Sequence, residues 1–378
     1  MQAAYLDPRT GVTFPLDIPR WCGPGGTPLL LTPLEGIGRD RIEAGDRSLW
    51  RYRAALPVPV AEPITLGEGC TPLLRRALHG APAWLKCEFL MPSGSFKDRG
   101  AAVMLSLLRE QGIRAVLEDS SGNGGAAVAA YAAAGGMQAT IMTPASTSPA
   151  KTVQMRAYGA AVELVPGARQ DTADAAVRRA AEVFYASHNW HPFFLQGTKT
   201  LAYELWEDFG FAAPDNVIVP CGAGSNVLGC HIGFGELHRL GAIETPPRIF
   251  AVQPAHCAPV AAAFMAGTAT EFPDVEVRPT IAEGTAIARP IRMAEVLGAL
   301  RETRGGAVTL SEAEIAGAVT ELAGLGVYVE PTGAQAAAAF GKLLDSGAIN
   351  DRQTTALVLT GSGLKATPLI AGLLGGVC

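Results

Sequence analysis

The sequence predicts an α/β protein of two intimately joined lobes built from parallel strand and helix units. From Trp84 onward, short apolar runs alternate with amphipathic or alanine-rich stretches, the pattern of parallel α/β units. Three glycine-rich loops each follow a predicted strand, which is where open α/β sheets take ligands. A chain of 378 residues, 48% of them hydrophobic, is long enough to bury two sizeable cores. No internal repeat or low-complexity linker separates the lobes.

In chain order, residues 1 to about 80 are rich in proline and turns. The stretches 48–53 and 65–73 within them read as loops and short elements without chemistry. A helix is expected to start between Gly94 and Lys97, because Ser95 and Asp98 stand three apart like a weak capping box. Met104, Leu107 and Leu108 then recur at helical spacing. Residues 114–118 read as a strand and 126–134 as a helix ended by Gly135 and Gly136. Another strand covers 139–143 and stops at Pro144, after which a helix, a strand and a helix run to His188. The second half repeats the pattern with strand 216–219, a glycine loop, a helix to Leu240, strand 248–252 and helix 258–266. A late helix, 333–344, leads into the last strand, 355–359.

A net charge of -5 without a long basic run argues against nucleic acid or an anionic membrane as partner. The opening MQAAYLDPRTG has charged residues and a proline where a signal peptide needs an apolar core. No uninterrupted apolar run of about 18 residues follows, so a soluble, cytoplasmic protein is expected. The seven cysteines, at 22, 70, 87, 221, 230, 257 and 378, are odd in number and contain no CxxC pair. They predict free thiols, neither a disulfide framework nor a zinc site.

The chemistry centres on Lys97, in Pro-Ser-Gly-Ser-Phe-Lys-Asp-Arg-Gly at 92–100. At a helix N-terminus and beside Arg99, its charged ammonium is disfavoured and the neutral, nucleophilic amine favoured. That suits a Schiff-base lysine; a solvated helix-end lysine is the ordinary alternative. The loop Ser120-Ser121-Gly122-Asn123-Gly124-Gly125 opens a helix, and its consecutive N–H groups and hydroxyls make a seat for a carboxylate or phosphate. Pro220-Cys221-Gly222-Ala223-Gly224-Ser225-Asn226 joins a strand to a helix, where small residues let the main chain approach a phosphate closely. A dinucleotide fingerprint fits poorly there, because its third glycine falls where Val227 stands. There is also no phosphate-loop lysine, which leaves a single phosphate as the better ligand. In the third loop, Thr360-Gly361-Ser362-Gly363-Leu364-Lys365, a hydroxyl is placed to hydrogen-bond a ring nitrogen without carrying charge.

With 93–99, 121–123, 222–226 and 360–365 in this order, the chain resembles the tryptophan-synthase-β-like, fold type II pyridoxal-phosphate enzymes. Within them it is most similar to the threonine synthases, through 48–53 with Leu56 and Pro57, 65–73, and the ending 360–365. The resemblance implies two open, twisted, mostly parallel sheets flanked by helices, with pyridoxal 5'-phosphate in the cleft between lobes. It implies an N-terminal extension, 1–80, packed on the larger lobe, a smaller domain at 81–196 and the larger domain at 197–378, in a homodimer. Lys97 is implied as the catalytic lysine that holds the cofactor and moves the α-proton. Asn123 contacts the cofactor's 3-hydroxyl, Gly222, Ala223, Gly224, Ser225 and Asn226 cradle its phosphate, and Thr360 faces its ring nitrogen. Ser120, Ser121, Asn123 and Gly124 bind the substrate carboxylate.

The implied activity is a lyase acting on a small L-amino acid, O-phosphohomoserine giving threonine and phosphate in a true synthase. A threonine or serine dehydratase, or a β-replacement enzyme, is the alternative, because 191–193, 196–198 and 282–286 are similar to dehydratases. Met91 stands where threonine synthases carry Asn, Ser362 and Ala366 where they carry His and Asp, and Phe194 where they often carry Arg. Replacing Arg by Phe removes a bidentate phosphate donor. Glu283 is a candidate carboxylate near the leaving group or the cofactor hydroxyl. His188, His191, His231, His238 and His256 read as packed or surface histidines, and Cys22, with no partner cysteines, predicts no metal site.

Overall fold

The computed structural model describes residues 3–147, 149–167, 169–268 and 275–375; Cys378 lies outside them. The chain forms two compact units, Met1–Cys70 with Met91–Thr200, and Thr71–Leu90 with Leu201–Cys378.

The first unit is built on a parallel sheet with the strand order Ala161–Val165, Gln138–Pro144, Ala115–Asp119, Phe184–Tyr185. Helix Lys97–Glu110 is buried continuously from Asp98 to Leu108. Helix Asn123–Ala134 is buried from Gly124 to Ala132, as its nearly unbroken run of small apolar residues requires. Helix Pro192–Thr198 meets Lys97–Glu110 backbone to backbone. A Cβ at Gly197 would collide with the Arg99 carbonyl oxygen, and one at Gly100 would stand 2.5 Å from the Phe194 ring.

The expected capping box does not form. Asp98 reaches back to Ser93, accepting its N–H at 2.6 Å and also its hydroxyl. The Ser95 hydroxyl is left buried without a protein partner. A carboxylate that bonds a turn five residues upstream fixes the approach to Lys97 instead of capping its helix.

Residues 1–70 belong to the unit of Lys97, whereas the expectation placed 1–80 on the other lobe. The reason is Glu68, a buried carboxylate in one of the stretches expected to carry no chemistry. It accepts from Trp50 Nε1 at 3.0 Å, the Leu66 N–H at 2.8 Å and the Tyr131 hydroxyl at 2.8 Å. Tyr131 lies on helix Asn123–Ala134, so this carboxylate ties the N-terminal segment to that helix. The Tyr5 ring stands edge-on to Phe193 at 6.0 Å and adds a second tie.

Residues 71–90, in turn, belong to the second unit. Strand Ala81–Lys86 pairs antiparallel with Leu73–Leu78 and parallel with Thr355–Val358. The sheet order is Gly306–Leu310, Arg248–Pro254, Asn216–Pro220, Thr355–Val358, Ala81–Lys86, Leu73–Leu78. Lys86 is buried, and its ammonium donates to Glu204 Oε1 and Asp208 Oδ2 at 2.6 Å and to the Thr71 carbonyl at 2.7 Å. Three acceptors replace the lost hydration of the charge. Among the described residues, no helix is long and apolar enough to cross a membrane.

Gly197→Ala is expected to lower stability by about 2–3 kcal/mol, because the clash is with backbone and no side chain can swing away. The urea midpoint of unfolding reads this out, and an unchanged midpoint would contradict the close approach.

Candidate active site

Within the first unit, neighbouring parallel strands bring two loops to one edge. Ala115–Asp119 runs into Ser120, Ser121 and Gly122, and helix Asn123–Ala134 begins at Asn123. That helix start has no side-chain cap, and Ser120 Oγ accepts the Gly122 N–H at 3.3 Å. Exposed N–H groups at a helix start make an anion seat. Phe184–Tyr185, the adjacent strand, leads to His188. The imidazole Nδ1 lies 2.7 Å from Glu118 Oε1, and the His188 N–H donates to Glu118 Oε2 at 2.9 Å. A Cβ on Gly124 would stand 2.8 Å from this ring and 3.0 Å from Ser120 Oγ. Glycine is therefore required at 124 for the ring to lie against the loop.

Lys97 is the first residue of its helix. Its Nζ lies 4.7 Å from the Phe96 ring centroid and 5.6 Å from that of Phe194. Phe194 is fully buried and touches the His188 ring at 5.8 Å. Burial pushes the Glu118 carboxyl up to about 8, opposed by the His188 N–H and by the charges of Arg169 and Lys97. Burial also holds His188 well below the usual imidazole range, with the Lys97 charge adding to the effect. Sequence reasoning missed Glu118 and treated His188 as a packed histidine. The available signal was a carboxylate near the end of an apolar strand, but its partner lies far along the chain.

Within the second unit, Asn216–Pro220 and Thr355–Val358 are parallel neighbours, so the loops that follow them emerge at the same edge. Gly224 caps helix Ser225–Arg239 in a left-handed conformation, φ 91°, with no side-chain cap. A Cβ there would strike Val296, and one on Gly222 would stand 3.1 Å from the Gly284 carbonyl oxygen. Asn226 is buried with neither Oδ1 nor Nδ2 hydrogen-bonded, and the Thr360 hydroxyl is likewise buried without a protein partner. A Cβ on Gly333 would stand 3.2 Å from the Thr360 nitrogen. An uncapped helix start beside two buried, unpartnered polar side chains fits a ligand that supplies both a phosphate and a ring nitrogen.

Cys221 is fully buried, and burial pushes its thiol up to about 12, so it is a small residue in a tight turn and no nucleophile. Glu283 is exposed, in the short turn Glu283–Thr285 next to Gly222. Ser362 caps the turn Gly363–Lys365 by accepting the Leu364 N–H at 3.3 Å. His191 accepts the Phe193 N–H at the start of its helix, His231 and His256 are partly buried, and His238 is exposed. Among the described residues, no group of three or more His, Cys, Asp or Glu is arranged to hold a metal ion.

Residues 64–361 match the family described as pyridoxal-phosphate dependent enzyme. The chain belongs to that family. The threonine synthase of Methanosarcina acetivorans is 32% identical over 338 residues, 87% of this chain and 83% of that protein. The threonine synthase of Synechocystis sp. is 34% identical over 325 residues, 83% of this chain and 82% of its own length. Among solved structures, a threonine deaminase from T.th. superimposes with a TM-score of 0.64 at 27% identity, covering 77% of this chain and 92% of that one. The pyridoxal-phosphate enzyme is thus a threonine synthase-like lyase, with the mixed α/β architecture of fold type II.

Replacing Thr360 by Val removes a buried hydroxyl that has no protein partner. The ligand-free variant should keep its stability or gain up to ~1 kcal/mol, read from urea unfolding. A large loss would mean that the hydroxyl serves the fold.

Proposed function

We propose that Lys97 is the lysine to which the cofactor attaches, and that the chain removes a leaving group from a small L-amino acid. The observation that carries this reading is the pair of buried, unpartnered groups, Asn226 and Thr360, at the edge where helix Ser225–Arg239 starts uncapped. The cofactor, when bound, stabilises negative charge developing at the α-carbon of the amino acid.

The protein's own residues do the rest. The N–H groups of 222–226 hold the phosphate at the helix start, and the small side chains of Gly222, Ala223 and Gly224 keep that approach open. Ser225 and Asn226 add polar side chains to the same seat. Thr360 presents an uncharged hydroxyl to the ring nitrogen, and Asn123 an amide to the 3-hydroxyl. Ser120, Ser121, Asn123 and Gly124 orient the substrate carboxylate at the start of helix Asn123–Ala134, so that the α-hydrogen is held towards the base. Lys97 takes the α-proton and delivers it where the elimination requires it.

The first substrate in this reading is O-phosphohomoserine, giving threonine and phosphate, as the threonine synthase relatives suggest. A second reading, a dehydratase acting on an unphosphorylated hydroxy amino acid, is favoured by Phe194. That uncharged ring, fully buried near Lys97, offers a phosphate no donor. We also propose a cytoplasmic homodimer, the compartment being supported by the six described cysteines, which are thiols and form no disulfide.

Purified, pyridoxal-phosphate-loaded protein given O-phosphohomoserine, threonine or serine separately should release phosphate and form threonine from the first. Formation of a 2-oxo acid and ammonia from threonine or serine instead would replace the synthase reading with the dehydratase. Lys97→Ala should abolish both the visible absorbance of lysine-bound cofactor and turnover; retained turnover would overturn the assignment.

A further inference from the structure

One buried pair of titratable side chains near Lys97 has no part in the scheme above. Glu118, fully buried near the end of strand Ala115–Asp119, gives both carboxyl oxygens to His188. This double grip commits the imidazole at Nδ1 and lays its ring against Gly124 and Phe194, the latter being the ring 5.6 Å from Lys97 Nζ. A glutamine at 118 would make the same two hydrogen bonds, one accepted and one donated, without burying an ionisable group. The fold therefore does not need the carboxyl for its geometry.

We propose that Glu118 and His188 form a proton-holding pair that positions the 120–125 loop and sets the charge against which Lys97 works. This rests on the reading that Lys97 carries the cofactor. The charged and titratable groups facing the pair are Lys97, Arg169 and Asp119, with Tyr185 donating to Asp119. Arg169 and Asp119 are paired to each other at 2.6 Å. The interaction between Lys97 and Glu118 is mutual: a positive Lys97 favours ionised Glu118, and ionised Glu118 favours a positive Lys97 to the same extent.

Burial keeps Glu118 protonated up to about pH 8. Below that pH the carboxyl is neutral, and no negative charge from it holds a proton on the Lys97 nitrogen. Above it Glu118 ionises and favours the protonated form of the Lys97 nitrogen, opposing the ordinary loss of that proton as pH rises.

The test is a titration of the visible absorbance of pyridoxal-phosphate-loaded protein over about pH 6 to about pH 10, with melting temperature measured alongside. Wild type should show an alkaline inflection near pH 8. Glu118→Gln should keep the colour but lose that inflection, and the alkaline limb of its kcat/KM profile should vanish with it. Glu118→Asp, which restores an ionisable carboxyl, should restore an inflection. If Glu118→Gln keeps the wild-type inflection and loses only melting temperature, the pair is structural and the proposal falls. Should Glu118→Gln fail to fold, His188→Gln takes its place. Its inflection should move by about one pH unit, and an unmoved inflection overturns the proposal. Wild type without the band, or Lys97→Ala that keeps it, overturns the cofactor assignment and with it the role of the pair.

Discussion

Gly197 meets the carbonyl of Arg99 with no side chain between them, and the depth of that approach decides where Lys97 stands. The Phe194 ring lies over Gly100 between the two helices. Phe194 in turn contacts His188, and His188 lies against Gly124 at the head of the next helix. Lys97, the Phe194 ring and the 120–125 loop are therefore linked by glycines as much as by larger side chains. Protein interiors are packed too tightly for such a chain of contacts to yield at one point without moving at the next.

The second unit shows the opposite treatment of polar groups at two places. Around Lys86 every hydrogen-bonding demand of a buried charge is met by protein, as a purely structural ion requires. At Asn226 and Thr360 the protein itself leaves the demand open. An unmet buried amide and hydroxyl cost stability, and natural proteins depart from full satisfaction mainly where a ligand completes the set. The contrast within one unit is between a buried charge fully met by protein and two buried polar groups that are not.

The parallel α/β grammar was legible because apolar runs, alanine-rich helices and glycine turns are local signals. Strands expected at 114–118, 139–143 and 216–219 are found at Ala115–Asp119, Gln138–Pro144 and Asn216–Pro220. The helix start at Lys97 and the glycine loops after strands were legible because such places leave short motifs. The unit boundaries were not. A hairpin at 73–86 that joins a sheet completed by Thr355–Val358, and a carboxylate at 68 that binds Tyr131, are long-range choices which nothing nearby in the sequence betrays. Glu118 stayed hidden for the same reason, since its meaning lies in a partner brought in by the next strand. The capping box failed because Asp98 found Ser93, a competitor that a three-residue spacing rule does not weigh.

The hairpin at 73–86 also bears on how the protein is made. Trp84 pairs with Ala356, so a strand near the start of the chain waits for one near its end before its second edge is covered. On the ribosome the first unit can close once Thr200 has emerged, whereas the second must hold an early hairpin open until Thr355–Val358 has been synthesised. Pairings of such wide sequence separation are slow to close and leave a strand edge bare in the meantime. The nascent chain thus carries an exposed β-edge until that late strand emerges, and chaperone occupancy during translation should concentrate on that segment.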